Sequence, residues 1–279
     1  MTDKYLAGRA AWVTGGATGM GRAVALALAA AGADVAIGSL MESERKTVLP
    51  EQNAYLLSKE ELERTRAEIE AKGVHALARG LNVTSNDSVQ ESFDVIVKAF
   101  GKIDVLINAA GSSARAFMVG HPDPVWHAVI DVCLNGAYRT IKRCLPGMIE
   151  RKWGRIVNFA STAANVGAVA HSAYCAGKAG VLGLTRCVAL EGAAFGVSCN
   201  AINPGFVATP QGRIAYKQQL KIDGVEMTWE EYYRKSAEAI PQRRWIPAEE
   251  VAALVAYLCR DEAFGITMED ITVAGGSQW

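Results

Sequence analysis

Tyr174 and Lys178 stand four positions apart, the spacing that puts two side chains on one face of a helix. A phenol ordinarily ionises near ~10. To exchange a proton at neutral pH it must do so about three pH units lower, a cost of about 4 kcal/mol. An ammonium ~5 Å away in an effective dielectric of ~20 supplies about 3 kcal/mol of that, and a further positive charge nearby can supply the rest. Taken alone, Tyr-x-x-x-Lys is more often a solvated helix face. Two other features alter the reading. Ser161 precedes Tyr174 by 13 positions and carries a hydroxyl able to donate to an oxygen on which negative charge develops. Thr14-Gly15-Gly16-Ala17-Thr18-Gly19-Met20-Gly21 joins an apolar run to an Ala-rich helical stretch. Glycines there admit positive φ, let backbone approach a pyrophosphate and let helix and strand pack tightly. The N-terminus of that helix offers free N–H groups and a partial positive charge to phosphate.

Those side chains need a scaffold, and the chain reads as alternating strands and helices. Strands are expected at Ala10–Val13, Val35–Ile37, Ala76–Leu81, Val105–Ile107, Ile156–Phe159, Ser198–Ile202 and Ile271–Val273, and helices near 20–31, 59–72, 86–100, 124–150, 173–195 and 248–259. Alternation at this spacing predicts an α/β fold, a doubly wound parallel sheet of about seven strands with helices on both faces. We read 1–279 as one domain. Two stretches break the rhythm. Ser39 to Leu57 is long for a connection in such a unit and precedes a capping box at Ser58-Lys59-Glu60-Glu61. Within Pro210 to Pro247, Thr228-Trp229-Glu230-Glu231 is a second capping box. It would set Trp229 beside Tyr232 and Tyr233, either as part of a lid over 206–245 or as packing on the domain.

The turn T-G-x-x-x-G-x-G resembles that of the short-chain dehydrogenase/reductase family. The downstream order agrees: Asn108-Ala109-Ala110-Gly111 after the fourth strand, Ser161 after the fifth, Tyr174-Cys175-Ala176-Gly177-Lys178 opening a helix, and Pro204-Gly205-Phe206-Val207-Ala208-Thr209 after the sixth. The interval from Ser161 to Tyr174 also matches that family. The resemblance covers nearly the whole chain and implies a Rossmann-type fold binding NAD(P). It implies hydride exchange between a small secondary alcohol and its ketone, with Ser161, Tyr174 and Lys178 catalytic and Tyr174 as general acid/base. Cofactor contacts are expected from Thr14, Gly15, Thr18, Gly19, Met20, Gly21, Ser39, Asn82, Val83, Asn108, Ala109, Gly111, Tyr174, Lys178, Pro204, Gly205, Val207 and Thr209. Among these, Lys178 would hold the nicotinamide ribose, Thr209 the carboxamide, and the Asn82 amide oxygen the adenine amino group. A homotetramer is expected by resemblance alone.

At the end of the second strand an acidic residue would favour NAD and repel a 2′-phosphate. Ser39 stands there, with Arg45 and Lys46 following beside Glu42 and Glu44, so NADP(H) is favoured over NAD(H). One position departs from the family pattern. Where relatives carry an Asn that relays protons to the lysine, this chain has Cys133, with Asn135 off the motif. The relay is then weaker, rerouted through Asn135, or carried by water. A second class of function, a dinucleotide-binding sensor or scaffold with feeble turnover, draws some support from Cys133 and less from the intact Ser161, Tyr174 and Lys178.

Pocket walls are expected from residues after Ser161, from His171, from Phe206 to Trp245 and from Trp279, and Arg213, Lys217 and Lys221 either attract an anionic substrate or, as charge runs more often do, form a solvated face. Lys plus Arg and Asp plus Glu are 29 each, which leaves no general field for nucleic acid. No stretch reaches the length of a membrane span, and no secretory signal is evident. The six cysteines include no C-x-x-C pair, and His75, His121 and His127 show no metal-ligand spacing. The expectation is a cytoplasmic protein with reduced thiols, no metal, and a small carbonyl or alcohol substrate.

Overall fold

The computed structural model describes residues 4–49, 52 and 55–277. Seven strands run in chain order: β1 (Ala10–Thr14), β2 (Asp34–Ser39), β3 (Ala76–Gly80), β4 (Val105–Asn108), β5 (Gly154–Phe159), β6 (Val197–Pro204) and β7 (Asp270–Val273). They form one sheet in the order β3-β2-β1-β4-β5-β6-β7, and every pairing is parallel. The helices are α1 (Gly19–Ala30), α2 (Lys59–Glu70), α3 (Asn86–Phe100), α4 (Asp123–Ile130), α5 (Gly136–Glu150), α6 (Ser172–Ala193), α7 (Pro210–Asp223), α8 (Trp229–Ala239) and α9 (Ala248–Leu258). The expected doubly wound sheet is present, and all seven strands fall where the apolar runs placed them.

The period of two along each strand sorts the core into two layers. Ala11, Val13, Val35, Ile37, Val105, Ile107, Val157 and Phe159 face α1, α2 and α9. Trp12, Ala36, Leu106 and Ile156 face α3, α5 and the far half of α6. Chain order reverses between β1 and β4, so the strand ends there open a crevice of the kind that takes ligands in such sheets. A buried polar ladder ties the region together. Asn108 Nδ2 donates to Asn158 Oδ1 at 2.8 Å, Thr140 Oγ1 to Asn108 Oδ1 at 2.6 Å, and Asn158 Nδ2 to Thr185 Oγ1 at 2.9 Å.

The structure departs from the sequence reading in three places. The helix expected at 124–150 is two helices joined by a π-helical stretch, Asp131–Asn135. Such a bulge takes up an extra residue inside a helix and recurs at functional sites. Here it carries Cys133, whose thiol donates to Ser112 O at 3.2 Å. Second, α7 was not foreseen. It has a single buried residue, Leu220, and so no apolar stripe, and it depends on its ends: the Thr209 hydroxyl accepts from Gly212 N–H at 3.2 Å, Pro210 follows, and Gly224 closes it at φ 65°. Third, the long connection after β2 begins and ends at one place. Met41 and Leu57 form a parallel bridge, and Glu42 N–H donates to Leu57 O at 2.9 Å. Both capping boxes are present, Ser58 with Glu61 and Thr228 with Glu231. Among the described residues no helix is long and apolar enough to cross a membrane.

The ladder yields a stability prediction. Asn158→Ala takes the buried acceptor from Asn108 Nδ2 and the buried donor from Thr185 Oγ1 and should cost about 2 kcal/mol, read as a lowered midpoint in chemical denaturation.

Candidate active site

A cavity of about 350 Å³ opens at the C-terminal ends of the strands, lined by the turn after β1, the ends of β2 and β4, the loop after β5, α6 and the segment after β6. Of the expected site residues, Gly15, Thr18, Gly19, Met20, Gly21, Ser39, Asn82, Val83, Ala109, Gly111, Ser161, Tyr174, Lys178, Gly205, Val207 and Thr209 line it. Thr14, Asn108 and Pro204 do not. Thr14 Oγ1 accepts from Ala110 N–H at 3.2 Å and Asn108 belongs to the polar ladder, so both shape the wall from behind. Pro204 is the last residue of β6.

The turn fits a dinucleotide phosphate. Gly15 holds φ +66°, and a Cβ on it would lie 2.9 Å from Ala110 N. A Cβ on Gly21 would lie 2.2 Å from Gly15 O. These are close approaches that no side chain tolerates. Thr18 caps α1 in position only, since its side chain makes no cap hydrogen bond, and the first N–H groups of α1 face the cavity unclaimed by a side chain. Backbone from Gly15 to Gly21 thus leaves the close approach that a dinucleotide phosphate needs.

At the other end, Lys178 is 4% exposed, and its Nζ donates to Phe159 O at 2.6 Å. Nζ lies 5.7 Å from the centre of the Tyr174 ring. Gly111 leaves room beside it, a Cβ there being 3.6 Å from Nζ. The phenol of Tyr174 ionises above its ordinary range. Burial is the largest cause, and Lys178 and the Ser161 hydroxyl only partly offset it. The expectation that the ammonium brings the phenol most of the way to neutrality is thus corrected for the protein without cofactor, because desolvation of the anion outweighs one cation.

Ser161 is buried, and its Oγ accepts from Ala163 N–H at 3.1 Å, while its hydroxyl interacts with the Tyr174 phenol. The Cys133 thiol is committed to Ser112 O. Asn135 Nδ2 donates to Asp131 Oδ1 at 2.9 Å, and Asn135 does not line the cavity, so its side chain offers no detour for protons.

Other expectations are refined. Asn82 Oδ1 accepts from both Thr84 N–H and Thr84 Oγ1, at 3.0 and 2.8 Å. The acceptor foreseen for adenine is therefore occupied in a local turn. Ser39 is buried, and its Oγ accepts from Ala17 N–H at 3.2 Å, bracing the glycine turn. The side chains of Arg45 and Lys46, and Trp279, lie outside the described residues. Arg213, Lys217 and Lys221 are exposed and do not line the cavity; Arg213 instead sits over the Trp229 ring at 5.3 Å. The aromatic cluster packs onto itself. Trp245 lies 5.1 Å from both Phe206 and Tyr233 and 5.4 Å from Trp229, and Tyr216, Tyr232 and Trp245 wall the cavity.

Sequence reasoning missed Arg115, Gln52, Tyr55 and Ser112 as lining residues, whereas Tyr216 falls within the wall expected over 206–245. Gln52 Nε2 donates to Ser112 Oγ at 3.2 Å, so the long connection after β2 reaches the loop after β4. His171 was foreseen as a wall. Its ring stacks on Tyr174 at 4.6 Å and 13°, and burial and then the Arg115 charge pull its pKa down to about 3.

Two predictions follow from this geometry. Gly21→Ala should weaken cofactor binding at least about tenfold, checked by fluorescence titration with NADPH while circular dichroism shows the fold retained. His171 ionises lower folded than unfolded, so between about pH 6.5 and 3 the unfolded chain holds the extra proton. Stability should fall on acidification across that window, and His171→Asn should flatten the fall in a denaturation series against pH.

Residues 15–278 match a family model described as enoyl-(acyl carrier protein) reductase. The chain is 34% identical over 268 residues to the 3-oxoacyl-(acyl carrier protein) reductase FabG of Staphylococcus epidermidis, covering 96% of this chain and 98% of that protein. Among solved structures, a variant of actinorhodin polyketide ketoreductase with NADPH superposes with a TM-score of 0.85 at 32% identity, covering 96% of each chain. NAD+-bound xylitol dehydrogenase superposes with a TM-score of 0.83 at 29% identity, covering 97% of this chain and 99% of that one. With the glycine turn, the sheet order and these matches together, the chain belongs to the short-chain dehydrogenase/reductase family and is an NAD(P)-dependent oxidoreductase acting between CH–OH and carbonyl groups.

Proposed function

We propose that the protein reversibly reduces a small ketone to its secondary alcohol, with Tyr174 as general acid/base and NADP(H) as the preferred cofactor. The observation that carries this reading is the convergence of Ser161, Tyr174 and Lys178 on the cavity that the glycine turn opens. NAD(P) supplies or accepts the hydride. Ser161 Oγ donates to the carbonyl oxygen as negative charge grows on it, a contribution largest in a cavity that excludes water. Tyr174 Oη passes its proton to that same oxygen. Because burial keeps the phenol protonated at neutral pH, it stands ready as the acid for reduction. Lys178, fixed on Phe159 O, favours the phenolate left behind and, on family grounds, would hold the ribose.

Preference for NADP(H) rests on the end of β2, where Ser39 sets no negative charge against a 2′-phosphate. Support also comes from the ketoreductase whose structure holds NADPH, while the xylitol dehydrogenase with NAD+ shows that the same fold serves either cofactor. We further infer a single domain, a homotetramer and a cytoplasmic location, on family grounds.

Tyr174→Phe should lower ketone reduction by about a thousandfold while the NADPH dissociation constant stays similar; a variant retaining most of the rate would refute the acid/base role. Ser39→Asp should cut the preference for NADPH over NADH by about tenfold, from one like-charge contact, as measured by kcat/KM for each cofactor. Since the Tyr174 phenol ionises high, reduction should lose rate as pH climbs through the alkaline range and alcohol oxidation should gain, in paired pH profiles.

A further inference from the structure

We propose that the substrate is an oxo acid, and that Arg115 grips its carboxylate beside the reacting carbonyl. This rests on the ketone-reductase reading and names the substrate class. Arg115 lines the same cavity as Ser161, His171 and Tyr174. Its Nη1 donates to Val169 O at 3.1 Å, and its other guanidinium N–H groups have no partner among the described residues. The neighbouring backbone is fixed as well, since Ala116 N–H donates to Ala170 O at 2.9 Å and Ala114 is buried. The guanidinium is therefore held in place and kept partly from water, with no carboxylate in an ion pair among the described residues. Partial desolvation lowers its pKa, with Tyr232 and Asp223 acting the other way.

His171 supplies the second, independent observation. It is 8% exposed, and both ring nitrogens lack a hydrogen-bond partner. A neutral imidazole carries one N–H, and a buried donor left unmade costs about 1–3 kcal/mol. A guanidinium fork open to the cavity and a buried imidazole thus border the space beside Tyr174. A group that accepts from the fork would stand beside that imidazole and the Tyr174 ring. A carboxylate matches the planar fork, and it needs one full cation. A phosphate dianion would call for a second, and Lys178, the other cation lining the cavity, is already bound to Phe159 O. The same cavity must also admit the cofactor, so the acid is short. Arg213, Lys217 and Lys221, the cations foreseen for an anionic substrate, are turned to solvent; Arg115 takes that role.

The test uses the purified protein with NADPH and two matched pairs, acetoacetate with its methyl ester and levulinate with its methyl ester. For at least one pair the acid should exceed the ester in kcat/KM by about tenfold or more, one charged hydrogen-bonded contact. Arg115→Gln should bring that ratio to about one, mainly through KM of the acid, and Arg115→Lys should keep part of it, having the charge without the fork. Esters reduced as well as acids by the native protein, or an Arg115→Gln variant that lowers acid and ester alike, would overturn the proposal. Should the native protein reduce no ketone at all, the ketone-reductase reading falls, and calorimetric titration of the protein–NADPH complex decides this one. Butyrate binding that butyramide does not reproduce and Arg115→Gln abolishes would sustain it; no butyrate binding would end it.

Discussion

A lysine with 4% of its surface exposed must be compensated from within, and in this protein the Phe159 carbonyl does so at 2.6 Å. That contact joins the end of β5 to the second turn of α6 and sets where the rest of the site can be. It places the ammonium beneath Tyr174, fixes the rotation of α6 against the sheet, and leaves Gly111 as the residue whose missing side chain makes room. The ladder of Asn108, Asn158, Thr140 and Thr185 lies behind it and joins β4, β5, α5 and α6 through fully buried hydrogen bonds. Interiors with every polar group paired are stiff, and catalysis by positioning needs that stiffness.

The balance of charge around the phenol is the second constraint. One ammonium does not overcome the loss of hydration, so the resting state of Tyr174 is the acid. His171, stacked flat on that ring, stays neutral and adds no positive charge.

Much of this was legible in the sequence because it depends on short-range patterns. Apolar runs covered on both faces marked the strands, Ser58 and Thr228 announced two helices through their capping boxes, and the glycine turn identified the phosphate end. What escaped was set by tertiary context. α7 is a polar helix specified by Thr209, Pro210 and Gly224, so periodicity is silent about it. The π-helical stretch has no local signature, since it inserts a residue without breaking the helical pattern. Asn82 looked like an acceptor until Thr84 claimed its oxygen. Arg115 sits in a loop of small residues after β4, and only folding shows that it faces the reaction centre. A lone cation in the stretch Gly111 to Ala116 was the available signal.

The excursion between β2 and α2 leaves and rejoins the sheet through the Met41–Leu57 bridge, and it touches the far loop through Gln52 and Ser112. Its anchor points are neighbours, so residues between them can be added or removed at little entropic expense to the frame. Evolution could therefore vary the length of this connection, which supplies Gln52 and Tyr55 to the cavity wall, with no strand of the sheet displaced.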